Sequence, residues 1–444
     1  MPVRGVKAHR RLPPSPRHGP PARRFAHAPR RGVTLLTLLL PGCLLVEYRG
    51  TRWWVAEQDD REDLTLSVLA LTAELLNPQQ SVGEIPTTGT LRLVRRAAHR
   101  YARGTEGRMK AIGYTHCHPV SHPEALLDLV LPEPAAPQGR ELLVEVRAVS
   151  VNPVDAKQRA AADPGGRPRL LGFDAAGVVR AAGPDCRLFR PGDAVYYAGA
   201  VNRPGSNAEL HLVDERIVGP KPASLSFAEA AAMPLTTITA YEALFERLRM
   251  PRGESRPGEA VLILGGGGGV ASIAIQLARQ LTGLTVLATA SRPETRDWCL
   301  SLGAHHVLDH AGDLPAQVKA LGVRVPHVFA IAGTERHWDA ICRLLAPFGL
   351  ACVIDAAAGL DVQKLRPISG GLVFEGMFTR ALHRTPDMEE QHRLLAEVAG
   401  LIDTGRVRHT MTQHLGRIDA ANLKRGHALV ESGTMRGKAV LEGF

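Results

Sequence analysis

Five consecutive glycines, at 265–269, separate a run of apolar residues from a segment with helical spacing. The apolar run is 261–264, and a second apolar run, 285–290, follows the helical segment. Strand, glycine turn, helix and strand in this order predict the first βαβ unit of a dinucleotide-binding domain. Three residues of this unit fit the spacing G-x-G-x-x-G/A: Gly266, Gly268 and Ala271.

Each position of this motif has a physical role. The first glycine makes a tight turn, the second lets a pyrophosphate approach the backbone, and Ala271 keeps the helix close to the strand. The helix N-terminus offers free N–H groups and a partial positive charge to the phosphates. The predicted cofactor-binding residues of this segment are Gly265, Gly266, Gly268, Gly269, Val270 and Ala271. The alternative is a glycine-rich turn in an α/β domain without a ligand.

The end of the second predicted strand indicates which nicotinamide cofactor is used. A free ribose 2′-hydroxyl requires a carboxylate about 20 residues past the motif. No acid stands there, and the first acid beyond the strand is Glu294. Ser291 can donate a hydrogen bond to a 2′-phosphate, and Arg292 can pair with it through its planar guanidinium. NADP(H) is therefore favoured over NAD(H), unless Ser291 and Arg292 only cap the next helix.

Length and charge narrow the class of protein. A chain of 444 residues with 45% hydrophobic content can form two ordinary domains and a tail. The formal charge of +10 is concentrated in residues 1–108, which carry 18 Lys and Arg against 9 Asp and Glu. The remaining residues carry 36 against 35 and few aromatics, so nucleic-acid binding is not expected of them.

The first 108 residues do not have the pattern of a domain. Residues 1–31 are rich in Pro, Arg and His, which predicts disorder. The apolar stretch 32–46 contains Pro41 and is too short to span a bilayer. We expect residues 1–108 to be upstream sequence that has been read as coding, and we expect the functional protein to start at Met109. A disordered tail and a secretion signal are the alternatives.

The six cysteines are scattered and contain no C-x-x-C pair. This usage is typical of a reducing compartment, so we expect a cytoplasmic protein without disulfides or zinc fingers. Short strands with turn signals about every ten residues then predict an all-β domain over 109–235. Alternating strands and helices predict a doubly wound parallel sheet over 236–375. The tail, 376–444, is expected to return to the β domain, leaving a cofactor cleft between the two.

Several blocks after Met109 together resemble a known superfamily. They are VEVRAVSVNPVDAKQR (144–159), LLGFDAAGVV (170–179), RPGSNAELHLVDERIVGPKP (203–222), AAAMPLTTITAYEALF (230–245) and RGKAVLEGF (436–444). The chain from Met109 to its end resembles the medium-chain dehydrogenase/reductases, on the branch of the zinc-type alcohol dehydrogenase-like proteins close to the quinone oxidoreductases. The resemblance implies a GroES-like substrate domain, a Rossmann domain and a homodimer.

The resemblance also raises the question of zinc. In the zinc-dependent members a Cys follows the strand equivalent to 144–149, and a Gly-His-Glu occurs downstream. Here these positions hold Asn152 and Gly172-Phe173-Asp174, and the four closely spaced cysteines of a structural zinc lobe are missing. The cluster of His116, Cys117, His118 and His122 is expected to be surface side chains rather than ligands. No metal is therefore expected.

Without a metal to polarise an alcohol or simple carbonyl, the accessible chemistry is hydride transfer from NADPH to a quinone or an α,β-unsaturated carbonyl. By resemblance, Asn152 and Asp155 lie beside the nicotinamide, and Lys157 donates to the developing charge. Tyr241 is expected to be a proton donor or to pack on the cofactor. Thr236 is expected to contact the ribose or phosphate, and Lys438 to reach the cofactor or close the cleft.

Other interpretations stay open at this point. In one of them, Asn152 and Asp155 have no catalytic role: Asn152 sets a turn, and Asp155 stabilises that turn. An alcohol or aldehyde dehydrogenase is the alternative enzyme, and a non-catalytic, redox-responsive NADPH-binding protein is the alternative outside catalysis. We expect a small electrophilic substrate, with no nucleic-acid or membrane partner.

Overall fold

The computed structural model of the chain describes residues 107–355 and 357–444, and the backbone of four short strands nearer the N-terminus. These strands are β1 (Thr34–Leu36), β2 (Cys43–Tyr48), β3 (Thr51–Ala56) and β4 (Val68–Leu69), and each pairs antiparallel with the next. They belong to a compact unit of their own. The disorder predicted for the rest of the extension lies outside the described residues.

The GroES-like part is built on a seven-stranded sheet of order β12-β10-β9-β7-β20-β19, with β11 also paired to β7. Its strands are β7 (Glu141–Ser150), β9 (Ala175–Ala182), β10 (Ala194–Tyr197), β11 (Leu210–Asp214), β12 (Val218–Pro220), β19 (Met411–His414) and β20 (Lys438–Glu442). Buried residues alternate along the first half of β7, as its sequence predicts. The final strand returns from the chain end to pair with β7.

A three-stranded antiparallel sheet flanks this part in the order β6-β5-β8. Its strands are β5 (Arg108–Tyr114), β6 (Leu127–Pro132) and β8 (Arg169–Leu170). Helix α1 (Pro153–Ala161) follows β7 at once, because Asn152 and Pro153 turn the chain out of the strand. Two helices, α2 (Phe227–Ala231) and α3 (Pro234–Tyr241), then lead into the second part.

The second part is a six-stranded parallel sheet of order β15-β14-β13-β16-β17-β18. The strands are β13 (Ser255–Leu264), β14 (Gly283–Thr289), β15 (His306–Leu308), β16 (Arg324–Ala330), β17 (Leu345–Val353) and β18 (Gly371–Phe374). The connecting helices are α4 (Gly269–Leu281), α5 (Pro293–Ser301), α6 (Leu314–Ala320) and α7 (Thr334–Leu344). This is the doubly wound order, whose ligand crevice opens at the carboxyl ends of the central strands.

Three helices complete the chain, and apolar packing makes the two parts continuous. They are α8 (Thr379–His383), α9 (Glu390–Asp403) and α10 (Ala420–Glu431). One cluster of buried side chains extends from Val144 and Tyr196 through Met233 to Ile263. The predicted combination of a GroES-like sheet and a Rossmann sheet is therefore confirmed. Among the described residues, no helix is both long and apolar enough to cross a membrane.

Candidate active site

The glycine-rich turn after β13 is so tight that a side chain would not fit at Gly266. Gly265 has φ +100°, a conformation that glycine adopts readily. The N–H of Gly266 donates to the carbonyl of Thr289 at 3.0 Å. A Cβ on Gly266 would lie 2.8 Å from that carbonyl oxygen and 2.8 Å from Cys299 Sγ. The turn thus brings the end of β13 against the end of β14.

The next part of the turn has an open face. A Cβ on Gly268 would meet nothing within 4 Å, and Gly268 itself has an extended backbone that precedes α4. The N–H groups of Gly269, Val270 and Ala271 belong to the first turn of α4, where no helical carbonyl can accept them. Ala271 is fully buried against the sheet. An open glycine, free N–H groups and a helix N-terminus together fit the pyrophosphate of a dinucleotide.

The C-terminal segment lies directly on this turn. The N–H of Gly437 donates to the carbonyl of Gly267 at 3.0 Å, and Gly437 also forms a β-bridge with Gly268. A Cβ on Gly269 would lie 2.8 Å from Cδ of Lys438 and 3.0 Å from Cγ2 of Thr236. Thr236 and Lys438, both placed near the cofactor by resemblance, therefore contact the glycine turn.

Beneath the turn is a buried polar group that we call the Asp174 cluster: Ser150, Asn152, Asp174 and Lys438. Oδ2 of Asp174 accepts hydrogen bonds from Ser150 Oγ at 2.7 Å, Asn152 Nδ2 at 2.7 Å and Lys438 Nζ at 3.0 Å. Its Oδ1 accepts from the N–H of Leu235 at 2.7 Å, at the start of α3. One carboxylate thus connects β7, α3 and β20.

Asp155 holds the backbone next to this cluster. Its carboxylate accepts the N–H of Asn152 at 2.8 Å and the N–H of Gly172 at 2.9 Å. Gly172 has φ +113°, and a Cβ there would lie 2.7 Å from Asn207 N. Complete burial raises the pKa of Asp155 to about 7. The geometry is that of a brace between two backbone segments.

This raised pKa predicts how stability depends on pH. The folded pKa of Asp155 exceeds its ordinary value, so its contribution is full near pH 4 and is lost as pH rises through about 7. We expect the free energy of unfolding of the parent, minus that of Asp155→Asn, to fall by about 2–4 kcal/mol between pH 4 and 8. Urea unfolding across this range measures it. A difference that does not change with pH would contradict the assignment.

The other two predicted catalytic side chains form no hydrogen bond with the Asp174 cluster or with Asp155. Lys157 is exposed on α1. The hydroxyl of Tyr241 donates to Glu397 Oε2 at 2.7 Å and accepts from Arg252 Nη1 at 2.8 Å. Burial and the neighbouring Glu397 carboxylate raise the pKa of Tyr241. The catalytic roles of Lys157 and Tyr241 remain predictions.

The predicted 2′-phosphate residues lie at the exposed end of β14. Ser291 and Arg292 are both exposed, and Arg292 Nη2 donates to the carbonyl of Thr434 at 3.2 Å. Arg436 donates in the opposite direction, from Nη1 to the carbonyl of Glu294 at 3.1 Å. The two arginines therefore connect the loop after β14 with the C-terminal segment. Arg436 is not among the residues predicted from sequence, because it stands 144 positions from Arg292.

Ser150 and Asp174 are also site residues that the sequence-based predictions miss. The position of Asp174 appeared there only as an acid within Gly172-Phe173-Asp174, where zinc-dependent members have Gly-His-Glu. The rings of Phe173 and Phe378 pack edge to face, with 5.3 Å between centroids, so this segment also contributes to the apolar core. The aspartate two positions after Gly172 was the one feature of the sequence that could have indicated this role. The four groups that donate hydrogen bonds to its carboxylate come from other segments of the chain.

The residues at these positions do not form a zinc ligand set. Asn152 offers an amide, Phe173 offers no ligand atom, and Asp174 already pairs with an ammonium. Elsewhere among the described residues, ligand atoms of His118, His122 and Glu124 lie within 4.8 Å of one another. The two histidine rings are stacked with 3.9 Å between centroids, and His122 Nδ1 already accepts the N–H of Glu124 at 3.2 Å.

Comparison with known proteins agrees with this architecture. Residues 138–239 match the family of the alcohol dehydrogenase GroES-like domain, and residues 269–397 match the family of zinc-binding dehydrogenases. A zinc-type alcohol dehydrogenase-like protein of Staphylococcus aureus (strain COL) is 42% identical over 69% of this chain and 91% of its own length.

Two solved structures extend the comparison. A Rhizobium etli CFN 42 protein named after the zinc-dependent alcohol dehydrogenases is 54% identical, with a TM-score of 0.74, over 77% of this chain and 99% of its own. The Escherichia coli quinone oxidoreductase complexed with NADPH is 25% identical, with a TM-score of 0.61, over 75% and 99%. Fold, glycine turn and relatives agree that the chain is an oxidoreductase of the medium-chain dehydrogenase/reductase superfamily, on its zinc-type alcohol dehydrogenase-like branch.

Proposed function

We propose that this protein is an NADPH-dependent reductase of quinones or α,β-unsaturated carbonyls that works without a catalytic zinc. The observation that carries the proposal is the Asp174 cluster, where an amide and an ion pair stand in place of metal ligands. A quinone oxidoreductase that binds NADPH is among the structural neighbours, which supports the same chemistry.

The bound cofactor supplies a hydride, and the chain supplies binding, orientation and exclusion of water. The turn at 265–269 receives the pyrophosphate, while Thr236 and Lys438 border the turn from the other side. The half-buried ring of Phe378 packs against the buried ring of Phe173 and provides apolar surface beside the cluster, which suits a flat, conjugated substrate. Asn152 is held at both ends of its amide, so its role is to fix the shape of the site.

A quinone or enone needs less activation than an alcohol. It is already electrophilic, so hydride transfer requires positioning and stabilisation of the oxyanion that develops. An alcohol dehydrogenase would need a Lewis acid at the position of the Asp174 cluster. The chemistry of the donor set therefore favours reduction of a conjugated substrate over oxidation of an alcohol.

The test is oxidation of NADPH by the purified protein with a panel of quinones and enones. We expect turnover with at least one class, and equal rates before and after treatment with a zinc chelator. Loss of all activity on chelation, restored by zinc, would overturn the zinc-independent part. A folded protein that binds NADPH and reduces no electrophile would favour the non-catalytic alternative.

Cofactor preference gives a separate prediction. Arg292 and Arg436 are exposed where the ribose 2′-phosphate would lie, and each planar guanidinium can pair with a phosphate. We expect the double variant Arg292→Ala/Arg436→Ala to lose about 10- to 100-fold in kcat/KM for NADPH, because a hydrogen bond to a charged group contributes about 1.5–3 kcal/mol. Its kcat/KM for NADH should change less than about threefold.

The matched control is Arg256→Ala, which removes an exposed arginine that pairs with Glu254. That variant should leave the ratio of the two kcat/KM values unchanged. An equal loss for NADPH and NADH in the double variant would show that the arginines do not read the 2′-phosphate.

A further inference from the structure

Two glutamates that are far apart in the chain meet in the interior. Glu242 begins the π-helical segment Glu242–Arg247, and Glu375 follows directly after β18. Their side chains are 1% and 0% exposed, and their carboxyl groups lie within hydrogen-bonding contact of each other. Two ionised carboxylates have no hydrogen to donate, so this contact needs a proton on one of them. We call these two residues the Glu242–Glu375 pair.

The charges around the Glu242–Glu375 pair leave it short of positive partners. Arg247 Nε donates to Glu375 Oε2 at 2.9 Å, and Arg380 Nη1 donates to Glu242 Oε1 at 2.6 Å. Arg380 does not serve Glu242 alone, because its Nη2 also donates to two more exposed acids at 2.9 Å each. The groups that face the pair are the cations Arg247 and Arg380, the acids Glu246 and Asp387, and the uncharged Cys352 and Gln391. Among the described residues of this cluster, two arginines therefore face four acids, and one shared proton reduces the excess negative charge.

Burial is the physical reason why a proton stays on the pair. It raises the pKa of Glu375 to about 9, and the negative charge of Glu242 adds to the effect. Burial also raises the pKa of Glu242. The proton belongs to the pair rather than to one residue, because the two carboxyl groups titrate together. Near neutral pH the pair thus holds one proton and one negative charge.

Hydrogen bonds connect the pair to the segment that carries Phe378. Gln391 Nε2 donates to Glu242 Oε1 at 3.1 Å and to the carbonyl of Met377 at 2.6 Å. Glu375 lies three positions before Phe378, whose half-buried ring provides apolar surface beside the Asp174 cluster. The contact between the two glutamates therefore helps to determine where the ring of Phe378 lies.

We propose that Glu242 and Glu375 share one proton and that this shared proton positions Phe378 for the substrate. Loss of the proton to solvent leaves two carboxylates side by side, and their repulsion separates segment 375–378 from the π-helical segment. Both glutamates are positioning residues, since they act through Phe378 and not on the reacting atoms. The role toward the substrate rests on the reductase function proposed above, whereas the shared proton does not.

Infrared spectroscopy tests the shared proton directly, because a protonated carboxyl group absorbs apart from carboxylates and amides. The difference between the spectra of the parent and Glu375→Gln at pH 8 should contain about one protonated carboxyl per chain. Asp155 contributes equally to both spectra and cancels. In the parent alone, the same absorption should disappear as pH rises through about 9, which decides the point even where Glu375→Gln fails to fold. Its absence from the parent at pH 8, or its persistence in Glu375→Gln, would overturn the proposal.

The KM for an enone tests what the shared proton does. In the parent it should rise about tenfold between pH 7 and pH 10, because one proton with a pKa of about 9 must be bound. Glu375→Gln keeps a hydrogen-bond donor toward Glu242 at every pH, so its KM should change less than about twofold. The control, Glu254→Gln, removes an exposed acid paired with Arg256 and should follow the parent. An equal rise in the parent and in Glu375→Gln would overturn the positioning role.

Fluorine NMR separates failure of this proposal from failure of the proposed reductase function, since it needs no substrate. With 4-fluorophenylalanine at position 378, the resonance should move as pH rises through about 9 in the parent and stay in place in Glu375→Gln. The same pH dependence in both proteins would overturn the positioning role. A protein that reduces no electrophile, but shows the infrared absorption and the moving resonance, would contradict the reductase function and support the shared proton.

Discussion

Replacement of Gly268 by valine is expected to remove NADPH binding and leave the fold intact. A side chain at this position would point into open space, so it meets no protein atom within 4 Å. The backbone of Gly268, at φ −75° and ψ 172°, is extended and suits valine. The same open space is where the pyrophosphate must approach the helix. We expect kcat/KM for NADPH to fall by about 100-fold or more, since displacement of a reactant by about 1 Å has this effect.

Binding measured by the fluorescence of NADPH, together with urea unfolding, separates the two effects. The stability of Gly268→Val should stay within about 1 kcal/mol of the parent, because the helix loses only a modest N-cap. Gly400→Ala is the matched control: Gly400 lies within α9, also with nothing within 4 Å, and far from the turn in sequence. It should gain about 0.5–1 kcal/mol and bind NADPH normally. Tight NADPH binding by Gly268→Val would contradict the assigned path of the pyrophosphate.

The Rossmann sheet could be predicted because its signals are local. The glycine run fixes a turn, and the apolar runs on either side fix β13 and β14. The apolar run at 261–264 is only the second half of β13, which begins in the structure at Ser255. The first residues of the strand are exposed, so no apolar pattern marks them. Strand β18 (Gly371–Phe374) was not predicted, since a short, half-buried edge strand shows little periodicity.

The candidate site could be predicted only in part. The glycine turn and Thr236 could be proposed from the sequence, because each lies in a continuous motif. The partner of Tyr241, by contrast, is Glu397, which lies 156 positions away. Asp174 likewise gains its meaning from Lys438, 264 positions later. Contacts of this kind are made by the return of the chain end to β7, and no local pattern contains them.

The second large effect is expected from Asp174, whose removal leaves the ammonium of Lys438 without its counter-ion. Asp174→Ala also leaves the Leu235 N–H without its acceptor, at the start of α3. Breaking a buried ion pair by deleting one partner costs about 3–5 kcal/mol, and we expect a loss of that size in the free energy of unfolding. Asp339→Ala, which removes an exposed acid paired with Lys364, should leave the urea midpoint unchanged.

A double variant identifies the unpaired charge as the cause of this loss. In Asp174→Leu/Lys438→Met both charges are replaced by apolar side chains of similar volume, which is often neutral for stability. We expect the double variant to regain most of the stability that Asp174→Ala loses. Its NADPH binding should nevertheless stay impaired, because the amide of Asn152 then keeps only its long hydrogen bond to the Phe173 carbonyl, at 3.5 Å. A loss below about 1 kcal/mol in Asp174→Ala would mean that the ion pair does not hold β7, α3 and β20 together.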